Sequence, residues 1–255
     1  MSVVAVCSTH GAPGVTTTAL AMTWVWPLVH PDRRVLLVDA DPAGSGLLTG
    51  YLHGSVPAAG GTVALAVNRG PLSVEQIIEC SVAIDAGSTR MVLAGIADPR
   101  QARPLAAMWN ALVDATRDLG RVGIDVVIDV GRVGHRYEPT PLLVGADVVA
   151  VAVRPDLASV VPAAAAVLTL QEARGARIAP VAMVIGDGYS PVEVATALRA
   201  GCAVSVARDQ WAASALATGG AQGWRFDRSP LLRSIRGVIE RLAELAPSPS
   251  LAVSS

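Results

Sequence analysis

Short apolar runs alternate with longer amphipathic or alanine-rich segments along most of the chain. The runs that predict buried strands cover residues 3–7, 35–38, 91–96, 125–130, 147–153, 181–185 and 203–206. The segments that predict helices cover residues 16–29, 73–80, 101–119, 159–173 and 231–245, and a further helix begins near Gln210, with Asp209 as its cap. Residues 51–70 match neither pattern. This alternation is typical of a doubly wound α/β fold, in which a mostly parallel sheet carries helices on both faces.

The amino-acid composition suits such a sheet. The 255 residues are enough for one α/β domain, and hydrophobic residues make up 52% of them while aromatic residues make up only 4%. A core of Ala, Val, Leu and Ile fits parallel strands that are covered on both faces. We therefore predict a single domain over residues 1–246, followed by a disordered Pro/Ser-rich tail over residues 247–255. Trp24 and Trp26 cannot share one helix face, so we expect at least one of them to be only partly covered.

Charge, cysteine content and hydropathy restrict the compartment and the ligands that we expect for this chain. The net charge is −1, so no overall field attracts nucleic acid or acidic lipid. The cysteines are isolated and number three, which argues against a disulfide framework. The sequence shows neither a signal-peptide pattern nor an apolar run of membrane-spanning length. We therefore expect a cytoplasmic protein.

The most informative motif follows the first strand. Residues 10–17 form a turn of small residues between a strand and a helix, with the sequence HGAPGVTT. Backbone N–H groups at the start of such a helix face an anion, and the glycines let a phosphate approach the backbone. We predict a phosphate-binding loop made of His10, Gly11, Ala12, Pro13, Gly14, Val15, Thr16 and Thr17.

Acidic side chains end two of the later strands. Asp39 and Asp41 follow the run 35–38, and Asp129 lies at the end of the run 125–130. Ligands of open α/β sheets bind at the carboxyl ends of the strands, where paired carboxylates suit a hydrated Mg²⁺. The alternative for Asp41 and the proline after it is a simple turn, and one acidic strand end is weak support by itself. The order of the three motifs along the chain favours a nucleotide site.

The three segments resemble those of the ParA/MinD family of deviant Walker A P-loop ATPases. The loop of that family reads Lys-Gly-Gly-x-Gly-Lys-Thr-Thr, and this chain keeps both flanking glycines and both threonines. His10 and Val15 take the places of the two lysines, and the chain contains no lysine at all. The resemblance covers nearly the whole chain in the order of its elements, but it is specific only at residues 8–18, 39–46 and 125–134.

The resemblance also assigns roles to these side chains. It implies that Thr16, Asp39 and Asp129 hold magnesium, that Asp41 positions the attacking water in catalysis, and that ATP or ADP lies on the loop. Losing a charge-assisted hydrogen bond costs about 1.5–3 kcal/mol. Because both lysines are absent, we expect the binding of nucleotide and Mg²⁺ to be weak or lost.

Three functions therefore stay open at the level of sequence. The favoured one is a pseudo-ATPase, or a very weak ATPase, that serves as a regulatory or scaffolding module in intracellular positioning, such as division, partitioning, polarity, pilus or secretion assembly. The first alternative is an active ATP-dependent switch with a non-lysine loop. The second is a binder of another nucleotide or phosphate ligand.

The same resemblance leads to expectations about partners. In the family the first loop lysine crosses a dimer interface to the nucleotide of the partner. With His10 in that place, we expect a homodimer that forms without nucleotide, together with an unidentified protein partner. The C-terminal residues APSPSLAVSS lack charge, so we predict no membrane anchor there. Nucleic acid is left open but not favoured; its candidate contacts are Arg225, Arg228, Arg233, Arg236 and Arg241.

Overall fold

The computed structural model describes residues 3–10, 13–57, 59–67, 70–175, 177–220 and 223–246. The strands are β1 (Val3–Ser8), β2 (Arg34–Asp39), β3 (Val82–Ala83), β4 (Arg90–Leu93), β5 (Ile124–Arg132), β6 (Val148–Val153), β7 (Val181–Ile185) and β8 (Cys202–Val206). The helices are α1 (Val15–Val29), α2 (Gly61–Val67), α3 (Val74–Glu79), α4 (Ala102–Leu105), α5 (Trp109–Arg121), α6 (Thr140–Gly145), α7 (Leu157–Arg174), α8 (Pro191–Leu198), α9 (Gln210–Ala217), α10 (Trp224–Asp227) and α11 (Pro230–Leu245). The tail predicted for residues 247–255 lies outside the described residues.

All strands belong to one sheet in the order β3-β4-β2-β5-β1-β6-β7-β8. Every pairing is parallel except that of β3, which runs antiparallel to β4 at one edge. The predicted fold class is therefore confirmed, as is the prediction that β1, β2 and β5 are neighbours. The carboxyl ends of these three strands lie side by side.

The core consists of two apolar layers, one on each face of the sheet. On one face, side chains such as Val4 and Val6 of β1 pack in a layer with α1 and α11. On the other face, Ala5 and Cys7 of the same strand pack in a layer with α5, α7 and α8. Because both faces are covered, the strands are continuously apolar rather than alternating. None of the helices in the described ranges has the length and hydropathy needed to span a bilayer.

The expectation about the two tryptophans of α1 is wrong. Trp24 is 9% exposed and Trp26 is fully buried. Helix α1 is covered on more than one side, because it packs between the sheet and α11. Trp24 meets Phe226 with a ring-centroid separation of 5.9 Å and lies under the Arg90 guanidinium at 5.1 Å. A helix enclosed in this way can bury two faces at once.

Several predicted elements need correction. The helix predicted over residues 101–119 is broken into a 3₁₀ turn (Pro99–Gln101), α4 and α5. Asp98 caps the 3₁₀ turn by accepting from the Arg100 N–H at 2.9 Å, and Pro104 removes one backbone donor from the following turn. The prediction also missed α2 within residues 51–70, the short edge strand β3, and the helices α6, α8 and α10. The cap of α9 is confirmed, since Asp209 Oδ1 accepts from the Ala212 N–H at 3.1 Å.

A buried polar network ties the amino end of β5 to α1 and to the turn that follows α1. Asp125 is 1% exposed and accepts a hydrogen bond from Trp26 Nε1 at 3.0 Å. The Arg33 guanidinium binds both oxygens of the same carboxylate at 2.7 Å and also donates to the Gly120 carbonyl at 3.2 Å. The Asp125 hydrogen bond raises the pKa of Arg33. This network fixes how α1 lies along β5.

Candidate functional site

The predicted phosphate loop joins β1 to α1. Gly14 stands just before the helix in the left-handed region, with φ of 105°, which a residue with a side chain rarely adopts. No side chain caps this end of α1, so the first N–H groups of the helix are available to an anion. Pro13 is buried, whereas His10 is exposed. Gly11 and Ala12 lie outside the described residues.

Val15, at the position of the second family lysine, is buried. It is 7% exposed and belongs to the apolar layer that α1 shares with α11. The residue therefore contributes packing to the start of the helix and no charge to the loop. Thr16 and Thr17 follow it and are half-buried.

The predicted acidic residues meet at the carboxyl ends of β2 and β5, beside the loop. Asp39 and Asp129 are direct register partners on β2 and β5, and they are 1% and 0% exposed. Asp41 is half-buried and packs against Gly131, where a Cβ atom would collide with its carboxyl group. A Cβ atom at Gly95 would likewise collide with the Asp39 carboxyl. These two glycines make room for the carboxylates.

Neutral donors supply the hydrogen bonds to these carboxylates. Asp39 Oδ2 accepts from Ser45 Oγ at 2.6 Å and from the Gly95 N–H at 3.3 Å, while its Oδ1 accepts from the Asp41 N–H at 3.3 Å. Asp129 Oδ1 accepts from the Gly131 N–H at 2.9 Å. The buried Oδ2 of Asp129 has no hydrogen-bond partner of normal geometry among the described residues.

Burial dominates the electrostatics of this edge. Desolvation raises the pKa of Asp129 to about 8, with a further rise from the charge of Asp39 and a partial lowering by the Thr16 hydroxyl. Desolvation also raises the pKa of Asp39 to about 6, and the Ser45 hydroxyl opposes that rise. The pKa of Asp41 is raised by burial as well. In the described part of the chain, none of the ion pairs involves any of these carboxylates.

The oxygen atoms at this edge suit a magnesium ion. The unpartnered Oδ2 of Asp129 and the nearby Thr16 hydroxyl are oxygen atoms of the kind Mg²⁺ prefers, and a cation would relieve the burial of unpaired negative charge. No group of three His, Cys, Asp or Glu side chains within the described ranges is arranged to hold an ion. Magnesium bound here would therefore keep several of its waters.

The space beside the loop is small. A cavity of about 120 Å³ adjoins Thr16 and Thr17, and its far wall is formed by Tyr51 and Leu216. Pockets for small molecules commonly measure about 300–1,000 Å³. The segment after β2 and the end of α9 bound this cavity.

The structure brings together four of the predicted site residues, Thr16, Asp39, Asp41 and Asp129, at one edge of the sheet. Their functional roles stay predictions. The contributions of three more residues were missed: Ser45, Gly95 and Gly131. Ser45 lies in a polar loop that the sequence did mark, but no spacing rule singles out its hydroxyl. The two glycines lie at strand ends, and their close contacts with the carboxyl groups become visible only once the sheet is folded.

No family model matches the sequence, and no curated protein matches it. Solved structures do resemble the fold. The cell-division protein MinD of Aquifex aeolicus is 17% identical, with a TM-score of 0.72 over 97% of this chain and 99% of that one. A ParA-family ATPase of Chlorobium tepidum is 14% identical, with a TM-score of 0.72 over 93% and 98%. MinD of Pyrococcus horikoshii in complex with Mg-ADP is 14% identical, with a TM-score of 0.66 over 97% and 99%.

Proposed function

We propose that this chain, which has the fold of the MinD and ParA ATPases, is a degenerate member of that group that acts as a regulatory or scaffolding module in intracellular positioning. In this proposal it turns over ATP very slowly or not at all. The observation that carries the proposal is the combination of a buried Val15 at the lysine position with carboxylates that take part in none of the ion pairs among the described residues. Because the chain contains no lysine, no lysine ammonium is available to a phosphate brought to this edge.

Different residues would bind the phosphates, the magnesium ion and the attacking water. The uncapped N–H groups of α1 would bind phosphate oxygens, and Thr16 with Asp129 would hold magnesium, directly or through its waters. Asp39 is held in place by Ser45 and the Gly95 N–H, so it would orient the metal-bound waters. Bound Mg²⁺ supplies the positive charge that offsets the phosphates. Asp41, less buried than its two neighbours, would accept a hydrogen bond from an attacking water.

In this arrangement, the absence of the lysine lowers the rate of ATP hydrolysis more than it weakens nucleotide binding. A lysine at the phosphates contributes most when charge develops in the transition state, and removing one such donor typically lowers the rate about 10²–10³-fold. The same loss weakens ground-state binding by about tenfold or somewhat more. An active switch would need another cation at the loop. The chain would therefore still bind phosphate ligands but would not turn over ATP rapidly.

The first test measures Mg-ATP binding and phosphate release with the purified chain. We expect phosphate release no faster than that of Asp41→Ala. We expect Val15→Lys to tighten Mg-ATP binding by about tenfold or more, because it restores the charge-assisted contact. Val15→Met is the matched control, since it lengthens the side chain without adding charge and should leave affinity unchanged.

Two results would contradict the proposal. Steady phosphate release by the unsubstituted chain that disappears in Asp41→Ala would return it to the active ATPases. Equal affinities of Val15→Lys and Val15→Met for Mg-ATP would show that charge at this position does not limit binding.

A second expectation concerns self-association. His10 is shorter than lysine, so it is a poor replacement for a side chain that reaches across a dimer interface. We expect a homodimer held by contacts other than those to nucleotide. Sedimentation velocity with and without Mg-ATP measures this directly, and the sedimentation coefficient should stay the same. A monomer that dimerises only after ATP is added would show that nucleotide drives assembly.

A further inference from the structure

A concave pocket of about 490 Å³ lies beyond β8, and its lining includes none of the candidate site's residues Asp39, Asp41 and Asp129. The loop before α9 and the first residues of α9 form one wall, and α10 with the start of α11 forms the other. Its walls combine tryptophan and arginine; the residues that matter here are Arg208, Trp211, Trp224, Arg225 and Arg228. We refer to these five residues as the Trp/Arg pocket. Its volume falls in the range of ordinary ligand sites.

The two tryptophans of the pocket differ from the other three in the chain. Trp224 is 75% exposed and Trp211 is 41% exposed, whereas Trp24, Trp26 and Trp109 are each at most 9% exposed. The fold therefore buries its other tryptophans and leaves two large aromatic rings in water at one place. Exposed apolar surface concentrated in this way marks a site of interaction more often than isolated exposed residues do.

One wall of the pocket is rigidly supported. The Arg225 guanidinium lies over the Trp211 ring at 4.7 Å, and Phe226 meets that ring at a centroid separation of 6.4 Å. Phe226 is 3% exposed and packs in turn against Trp24 of the core. Trp211 is therefore positioned through a chain of aromatic contacts before any partner arrives. Preorganisation of this kind lowers the entropic cost of binding.

The pocket is also positively charged. Among the described residues, Arg208, Arg225 and Arg228 take part in none of the ion pairs. Asp209 is the acidic residue of the lining, and its carboxylate is already engaged as the cap of α9. The lining thus carries three guanidinium groups against one carboxylate. An arginine without a carboxylate partner can form bidentate contacts with an incoming one.

We propose that the Trp/Arg pocket docks an acidic segment of a partner protein. A large apolar or aromatic side chain of that segment inserts between Trp211 and Trp224, and carboxylates on either side of it pair with the arginines. Tryptophan and arginine are enriched among the residues that dominate binding energy at protein interfaces. This inference rests on the proposed function only in assigning the chain a protein partner, and it does not depend on ATP.

The shape and the charge of the surface favour a protein segment over a nucleic acid. Nucleic-acid binding draws its affinity from many phosphate contacts along a groove, and single strands stack successive bases on a row of aromatic rings. Here the aromatic surface is a single compact pocket, and the chain as a whole carries a net charge of −1. A pocket of this size accommodates one inserted side chain and the carboxylates beside it.

The test uses an acetylated and amidated heptapeptide with a central phenylalanine between three glutamates on each side. Its binding is followed by the fluorescence of the chain, because the peptide contains no tryptophan and Trp211 and Trp224 are the exposed ones. Control peptides replace the phenylalanine by glycine or every glutamate by glutamine. A 20-nucleotide thymidine oligomer tests for nucleic acid.

We expect saturable binding of the acidic phenylalanine peptide and at least tenfold weaker binding of both control peptides. In a label-based assay, Trp224→Ala and the double variant Arg225→Ala with Arg228→Ala should each weaken binding by about tenfold or more. Arg233→Ala removes an exposed arginine of α11 outside the pocket and should have no effect. We expect Arg228→Glu to abolish binding of the acidic peptide. The same variant should gain affinity for a further control peptide in which lysines replace the glutamates.

Circular dichroism verifies that the exposed substitutions leave the fold intact. The proposal is overturned if the acidic phenylalanine peptide does not bind, or if it binds no better than the glutamine or glycine peptides. It is also overturned if the thymidine oligomer binds more tightly than the peptide and loses affinity in Trp224→Ala, since that would make the pocket a nucleic-acid site. None of these results bears on ATP turnover, so failure here is distinct from failure of the proposed function.

Discussion

The stability of the chain is expected to fall as the pH rises from about 5 to about 8 in magnesium-free buffer. Burial raises the pKa of Asp39 to about 6 and that of Asp129 to about 8 in the folded state, whereas an unfolded aspartate titrates near about 3.9. Between these values the folded chain holds more protons than the unfolded chain. The free energy of unfolding therefore decreases with rising pH, by an amount on the order of a few kcal/mol.

Asp129→Asn separates this effect from the other titrations. The amide keeps the shape of the side chain and carries no charge, so we expect the melting temperature at pH 8 to rise by several degrees and that at pH 5 to change little. Millimolar Mg²⁺ should stabilise the unsubstituted chain at pH 8 and should have a much smaller effect on Asp129→Asn. Thermal unfolding followed by circular dichroism measures both.

The matched control is Asp114→Asn, which neutralises an exposed carboxylate on α5. Its melting temperature should follow the pH profile of the unsubstituted chain. The prediction is contradicted if the stability of the unsubstituted chain stays constant between pH 5 and 8, or if Asp129→Asn lowers the melting temperature at pH 8. Either result would show that ionisation of Asp129 does not destabilise the folded state.

The adjacency of the site residues could be predicted because it follows from the order of the strands. Three motifs stand at the carboxyl ends of β1, β2 and β5, and in an open parallel sheet such ends converge. The structure places these strands side by side and makes Asp39 the register partner of Asp129. Local pattern and one topological rule were sufficient for this part of the site.

Other features depend on contacts between distant segments. Whether Val15 is buried or exposed depends on how α1 packs against the sheet and α11. The burial of both tryptophans of α1 has the same origin. The Trp/Arg pocket brings the start of α9 and the loop before it together with α10 and α11, although the sequence did mark Arg225 and Arg228 as candidate contacts for nucleic acid. Periodicity carries no information on such long-range packing.

The two aspartates of β5 contact residues near opposite ends of α1. Asp125 and Asp129 are four residues apart, so they lie on the same face of the strand, separated by about 13 Å. Thr16 and Trp26 are ten residues apart on α1, which corresponds to about 15 Å. The near match lets Trp26 bind Asp125 at one end while Thr16 lies near Asp129 at the other. One aspartate anchors the helix, and the other belongs to the candidate site.

Asp125→Ala is expected to lower the free energy of unfolding by about 3 kcal/mol, the low end for breaking a buried ion pair, because Asp125 is buried while the Arg33 side chain is 33% exposed. The substitution leaves the fully buried Trp26 Nε1 without an acceptor and deprives Arg33 of both its charge-assisted bonds. Asp125→Asn keeps an acceptor of the same shape and should lose less. Urea unfolding of the two variants measures the difference.

The control for this prediction is Asp114→Ala, which breaks the exposed pair between Asp114 and Arg117, with side chains 77% and 60% exposed. It should change the free energy of unfolding by no more than about 1 kcal/mol, because exposed pairs contribute little. If Asp125→Ala cost no more than this control, the network would not be what anchors α1 to β5. If it destabilised the chain without changing the pH profile set by Asp39 and Asp129, the anchoring of the helix and the titration of the site would be energetically separate, as their positions at opposite ends of α1 lead us to expect.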